Sequence, residues 1–234
     1  MPLFKSWTSG EGVFAIWKVE ESNGQLRALL KGAFPYDADI SRMKAESRRS
    51  EYLAVRVLLA EVCGEEKEIC HEPSGKPFLA DGSFHLSISH TKGYVAVALH
   101  PTREVGIDIE QVSGRVLKVA DRFMSKEELQ GEKEALETYS GGAERSTLYY
   151  MLLHWSAKET MFKLMNQAEV DFRNHLRILP FRLCSEGCFT GCECRTSKAV
   201  SYPVHYMLHP DFVCTWSVIS VSYTHLRAHE TSQD

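Results

Sequence analysis

The chain has 234 residues, 44% hydrophobic and 25% charged, an ordinary globular composition with enough apolar material for one large or two small cores. Its formal charge of -4, from 27 basic against 31 acidic side chains, gives no general field for nucleic acid, so any anion site must be local. No apolar run approaches the roughly 20 residues of a membrane span, no secretory start stands before Gly12, and seven cysteines, an odd count, suit reduced thiols; the expectation is a cytoplasmic protein that binds neither membrane nor nucleic acid.

In chain order, the apolar-rich Gly12–Glu20 reads as a strand, Ile40–Cys63 as a helix, and Phe84–His100 as a hairpin whose turn lies near Ser89–Gly93. After a boundary at Pro101–Glu104 the same order returns. Glu104–Val112 is a strand, Val116–Glu137 and Thr147–Asn166 are helical, and Ser201–Val221 forms paired strands turning at His209–Asp211. Ser140–Ala143, with two glycines, reads as a flexible loop between the second pair of helices. Two halves each running strand, helix, hairpin suggest a duplicated unit. The expected division is an N-terminal lobe at 1–101, a C-terminal lobe at 102–222, and a polar tail at 223–234 resembling translated adapter sequence, with a native disordered tail as the alternative. Cys184, Cys188, Cys192 and Cys194 cluster; zinc ligands pair at comparable spacing and often recruit histidine, so a metal site is the alternative there, and plain thiols on a strand pair are the preferred reading.

Four segments carry candidate chemistry. In Val105-Gly106-Ile107-Asp108-Ile109-Glu110, strand alternation puts both carboxylates on one face and both isoleucines into the core. Their repulsion asks for a cation, and hard oxygens suit magnesium, although an isolated pair of this kind is more often a solvated strand face. In Trp155 to Lys163, Glu159 and Lys163 share a helical face opposite an apolar stripe of Leu153, Ala157, Met161, Leu164 and Met165; a simple i,i+4 ion pair is the ordinary explanation. Ser87-Ile88-Ser89-His90 ends a strand with small hydroxyls and one imidazole, and Gly75-Lys76-Pro77 is by itself a turn.

Taken together and in this order, with Arg122-Phe123-Met124-Ser125-Lys126 between them, these segments resemble the 4'-phosphopantetheinyl transferase superfamily, in its larger two-lobed class that resembles the surfactin synthetase activator. The resemblance covers Ile40 to Lys163 well and elsewhere extends only to strand pattern. It implies an α+β fold of two similar lobes related by pseudo-twofold symmetry, each a small, mostly antiparallel sheet packed on helices, with the active site in the cleft between them. Coenzyme A would be co-substrate, bound by the first lobe, and an apo acyl or peptidyl carrier protein the acceptor, on a monomeric enzyme. By the same resemblance Asp108, Glu110 and Glu159 would hold magnesium with the pyrophosphate, and Lys163 would touch the phosphates. Ser89 would be a coenzyme A contact, and His90 would grip the 3'-phosphate with Lys44 and Arg56, although Ser47, Arg48 and Arg49 offer alternatives to those two. Lys76 and Pro77 would border the adenine, and Glu128 would play a supporting part.

The implied reaction sends a carrier serine hydroxyl onto the β-phosphate of coenzyme A and expels 3',5'-adenosine bisphosphate, with Glu159 as candidate base, acting directly or through a water. A basic or apolar docking strip for the carrier is expected near the cleft, with Gly114–Leu136 and the loop through Gly141 as candidate regions. Two rivals remain at this point: a metal-dependent phosphoesterase using the same three acids, and a homologue that binds coenzyme A without catalysing transfer.

Overall fold

A computed structural model describes residues 3–132, 135, 142–165, 169–195 and 200–219. The expected tail at 223–234 and the loop residues 140 and 141 lie outside the described residues. The fold is α+β, with two antiparallel sheets and one long helix packed on each.

The first sheet takes the order β1 (Leu3–Ser9), β2 (Gly12–Lys18), β6 (Tyr94–His100), β5 (His85–Thr91), and the second the order β7 (Val105–Gln111), β11 (Phe212–Val218), β10 (Val200–Leu208), β9 (Glu186–Glu193), β8 (Leu176–Ile178). A small ribbon of β3 (Ile69–His71) and β4 (Pro77–Leu79) stands beside the first sheet. The duplication visible in the sequence reappears as topology. The first sheet contains β2-β6-β5 and the second β7-β11-β10, each an opening strand followed by the two strands of a closing hairpin.

Period-2 alternation of side-chain direction explains how the sheets stack. Phe14 and Ile16 of β2, with Ala96 and Ala98 of β6, share one apolar cluster with Ile107, Ile109, Phe212 and Cys214, so the two sheets bury a common face. On the opposite face of the first sheet, Ala15, Trp17, Val95 and Val97 meet helix α3 (Glu46–Cys63), whose Leu53, Ala54, Val57 and Leu58 form a single stripe. Gly64, at φ 74°, ends that helix in the left-handed conformation glycine tolerates. Beneath the second sheet lies the helix Ala143–Leu164, here α6, burying Leu153, Ala157, Met161 and Leu164 as its periodicity predicts. Gly106 lets it come close. A Cβ there would stand 2.6 Å from the Thr160 carbonyl oxygen, a distance no side chain can occupy.

Several sequence expectations need correction. The helix expected over Ile40–Cys63 is two, α2 (Tyr36–Ser41) and α3, separated at Arg42–Ala45. Arg49 holds that break by donating to the carbonyls of Met43 (2.9 Å) and Lys44 (3.1 Å). Another short helix, α1 (Asn23–Leu29), precedes them behind a Ser22–Gln25 capping box. The helix expected over Val116–Glu137 is, in its described part, a 3₁₀ turn at Val116–Lys118, α4 (Ala120–Phe123) and α5 (Lys126–Gln130), because Ser125 and Glu128 form a capping box and restart the chain. Ser89 and His90 lie within β5, which runs to Thr91, not in its turn. All seven cysteines are free, with Cys188 and Cys192 on β9, which pairs with β10, as expected for plain thiols. Among the described residues, no helix is long and apolar enough to cross a membrane.

Candidate active site

Strand β7 has both faces covered, so its acids are not the solvated face that an isolated pair suggests. Asp108 is 3% exposed and sits between β5 and α6. Its Oδ1 accepts from the Ser89 hydroxyl (2.9 Å) and from Lys163 Nζ (2.9 Å), whereas its Oδ2 is buried with no hydrogen-bond partner among the described residues. Lys163 also donates to the Ile107 carbonyl (2.8 Å), so it bonds across to β7 and not along its own helix to Glu159. The simple i,i+4 pair is therefore not formed, and Glu159 carries no hydrogen bond on its carboxylate among the described residues.

Glu110 accepts from the indole N–H of Trp155 (2.7 Å). Burial first, and then the nearby charge of Asp108, push the Glu110 carboxyl up to about 7; the indole contact pulls the other way, and Glu159 adds to the rise. Glu159 is likewise raised, by burial and then by Asp108, with Lys163 opposing. Three carboxyl groups from two elements thus share one electrostatic environment. Trp155, Glu159 and Lys163 recur at four-residue spacing along α6, so the spacing that singled out the last two also pointed to Trp155.

Among the described residues no three His, Cys, Asp or Glu side chains are already arranged to hold a metal ion. The donor chemistry nevertheless fits a hard divalent cation: an orphaned, buried carboxylate oxygen beside two carboxyls whose proton affinity is raised first by burial and then by the charge of Asp108. Lys163 places a positive charge at Asp108.

Other expected site residues gather unevenly. His90 lies against the first turns of α3, where Arg48 Nη1 is 3.4 Å from its Nε2 and Glu51 is 3.6 Å from its Nδ1. The cation beside His90 is thus Arg48, one of the alternatives seen in the sequence. Lys44 is exposed just before α3. Arg56 stacks on the Tyr52 ring at 3.3 Å and donates to the Tyr52 carbonyl (3.1 Å); burial lowers its pKa, with Tyr52, Tyr36 and Asp39 opposing. Lys76 bonds Glu104 (2.7 Å), which also meets His85 (3.2 Å); with Pro77 and Phe78 they line a cleft of ≈ 300 Å³. A second cleft, of ≈ 360 Å³, opens beside Glu110 and Trp155 and is walled by Arg115, Val116, Val119 and Phe123.

Lys158 is a residue whose part the sequence did not disclose. It is fully buried and donates to Glu128 (2.8 Å) and to the Phe123 carbonyl (2.7 Å). Glu128 in turn accepts from Ser125 N (2.7 Å) and Ile178 N (2.7 Å), so a single ion pair fastens α4, α5 and β8 to α6. Phe123 then packs edge-on against Trp155, centroids 5.2 Å apart.

The family model described as the 4'-phosphopantetheinyl transferase superfamily matches residues 104–216, the stretch that holds Asp108, Glu110, Glu159 and Lys163. The chain is 32% identical over 167 residues to the 4'-phosphopantetheinyl transferase psf-1 of Bacillus pumilus, covering 65% of this chain and 67% of that one. The chain belongs to the 4'-phosphopantetheinyl transferase superfamily. It is thereby a group-transfer enzyme, and its relatives in this superfamily are named for moving the phosphopantetheinyl group. Among them are the L-aminoadipate-semialdehyde dehydrogenase-phosphopantetheinyl transferase of Xenopus laevis (26% identity, 47% of this chain, 41% of that one) and the 4'-phosphopantetheinyl transferase AcpT of Salmonella typhimurium (34%, 39% and 48%). The match to the family model lies within the second sheet, its long helix and the segments between them.

Proposed function

We propose that this superfamily member transfers 4'-phosphopantetheine from coenzyme A to a serine of an apo acyl or peptidyl carrier protein, with magnesium at the three acids, and releases 3',5'-adenosine bisphosphate. The observation that carries this is the unsatisfied, buried Asp108 Oδ2 beside Glu110 and Glu159, whose raised pKa values mark a place built for positive charge.

In this proposal the serine Oγ forms a bond to the β-phosphorus as the bond from that phosphorus to the bridging oxygen breaks, and the bridging oxygen leaves with 3',5'-adenosine bisphosphate. Glu159, with no hydrogen bond on its carboxylate among the described residues and a raised pKa, takes the serine proton directly or through a water. Lys163, two helical turns from Trp155 and already beside Asp108, turns its ammonium toward the phosphoryl oxygens as negative charge accumulates. Trp155 holds Glu110 through its indole N–H. Asp108, Glu110 and Glu159 would hold the magnesium, which when bound supplies charge compensation for the diphosphate and the leaving group.

The lobe at 1–101 binds coenzyme A and the lobe at 102–222 carries the acids. His90, Arg48 and Lys44 meet the 3'-phosphate, with Ser89 close by; Lys76 and Pro77 border the adenine in the ≈ 300 Å³ cleft. Arg56 supports α3 behind this surface through its stacking on Tyr52. The ≈ 360 Å³ cleft admits the acceptor serine, and Arg115 at its wall attracts an acidic carrier helix, within the Gly114–Leu136 region expected to dock it. The enzyme acts as a cytoplasmic monomer. Incubation with coenzyme A, magnesium and a panel of apo carrier proteins, read by intact mass, should show a pantetheine-sized gain on at least one carrier. Release of phosphopantetheine with no carrier present, or coenzyme A binding with no labelled carrier, would count against transfer.

A further inference from the structure

Strands β5 and β7 approach each other across the two sheets, and hydroxyls do the work that carbonyls do elsewhere in a sheet. The amides of Ile107, Ile109 and Gln111 donate to Ser87 Oγ (3.1 Å), Ser89 Oγ (3.3 Å) and Thr91 Oγ1 (3.0 Å) respectively. A hydroxyl has one proton to give while its lone pairs accept. Of these three, Ser89 alone gives its proton to a carboxylate, at 2.9 Å to Asp108 Oδ1. Ser89 is buried, at 8% exposure, and so is Asp108.

This geometry distinguishes the two oxygens of Asp108. Oδ1 is occupied twice, by Ser89 and Lys163, and Oδ2 is left without a partner although it is buried. With the Ile109 amide holding Ser89 and Ser89 holding Oδ1, the carboxylate plane is fixed by two linked hydrogen bonds, and the oxygen that remains is Oδ2. We propose that Ser89 is a positioning residue: it holds Asp108 so that Oδ2 is presented to the divalent cation. This differs from the coenzyme A contact that the family resemblance assigns to Ser89. It rests on Asp108 being a metal ligand, as proposed above.

The test compares Ser89→Ala with Ser87→Ala, because Ser87 makes the same kind of link to a β7 amide but does not touch Asp108. Mn2+ affinity is measured by water-proton relaxation on the folded protein with coenzyme A present, and coenzyme A affinity by calorimetry with metal chelated. Positioning groups behind metal ligands are typically worth about 10–100-fold in affinity. Ser89→Ala should weaken Mn2+ by about that factor and leave metal-free coenzyme A binding within about twofold, while Ser87→Ala should weaken neither comparably. Ser89→Thr and Ser89→Val, which share a shape and differ by the hydroxyl, repeat the comparison should alanine impair folding; the threonine form should bind Mn2+ the more tightly by the same factor. Loss of metal-free coenzyme A affinity with unchanged Mn2+ affinity would make Ser89 a ligand contact and overturn the proposal. So would equal losses in Ser87→Ala and Ser89→Ala. If Asp108→Asn also leaves Mn2+ affinity intact, the fault lies in the assignment of the metal to Asp108, and both ideas fall; if Asp108→Asn abolishes it and Ser89→Ala does not weaken it, only the positioning role fails.

Discussion

Replacing Gly106 by alanine should destabilise the protein and slow turnover, although the same change at an ordinary strand glycine stabilises by about 0.5–1 kcal/mol through reduced freedom of the unfolded chain. The reason is local. The new Cβ would lie 2.6 Å from the Thr160 carbonyl oxygen, about 0.4 Å inside the 3.0 Å that real Cβ atoms respect, and Leu164 Cγ follows at 3.1 Å. The carbonyl belongs to helix backbone and cannot swing aside as a side chain can, so α6 must move away from β7. Overpacking of this kind costs about 1–3 kcal/mol, enough to reverse the usual sign. Glu159 immediately precedes Thr160, and Lys163 lies one turn on, so the shift falls on the site itself. Misplacements approaching 1 Å cost on the order of 100-fold, and a fraction of that shift should still lower kcat by about tenfold. Urea denaturation followed by fluorescence and circular dichroism gives the stability, and carrier labelling at saturating coenzyme A gives the rate. An alanine variant at least as stable as the parent, with unaltered turnover, would refute the idea that close contact of α6 with β7 sets the site.

Three further outcomes are expected. Lys158→Met strands Glu128 as a buried charge and removes the donor to the Phe123 carbonyl, so it should cost about 3 kcal/mol or more in the same denaturation experiment; a loss below about 1 kcal/mol would contradict the buried pair. The second concerns pH with divalent cations chelated. A carboxyl whose pKa is raised on folding holds its proton more tightly in the native state, so its contribution to stability is present at low pH and is lost as pH rises from about 4.5 to about 7 for Glu110. Denaturation midpoints should therefore fall across that window, less steeply in Glu110→Gln, and magnesium should restore them at neutral pH; an identical slope in Glu110→Gln would be the contrary result. Third, Glu159→Ala should abolish carrier labelling while coenzyme A still binds by calorimetry, and near-normal turnover would remove Glu159 from its role as base.

The strands and helices that build the site are legible because their apolar residues recur periodically in the sequence. Asp108 and Glu110 alternate with Ile107 and Ile109, and Leu153, Ala157, Met161 and Leu164 repeat with the helix. What escaped depends on partners distant in sequence. β1 is an edge strand with little buried surface, so Leu3–Ser9 shows weak alternation. β9 carries glycines that lower its strand signal, yet Gly191 is there because a Cβ would meet the Met161 sulfur at 2.4 Å. The break before α3 is held by one arginine on two carbonyls, which no local pattern shows. The break before α5 is written in the chain as Ser125 and Glu128, a capping box embedded in a longer helical pattern. Within the site, Lys163 could be seen on the face of Glu159, but its true partner, Asp108, is 55 residues away and appears only when α6 lies on β7. Likewise nothing local could choose Arg48 over Lys44 or Arg56 as the cation beside His90, since that depends on how α3 crosses β5.

The central claim, that carboxylates from β7 and α6 serve one divalent ion, is tested most directly by anomalous diffraction from crystals grown with Mn2+ and coenzyme A. The expected result is a peak bordered by oxygens of Asp108, Glu110 and Glu159 at about 2.0–2.2 Å, with the diphosphate completing its shell. A manganese site elsewhere in the molecule, or one that leaves Asp108 Oδ2 without a ligand, would contradict the account.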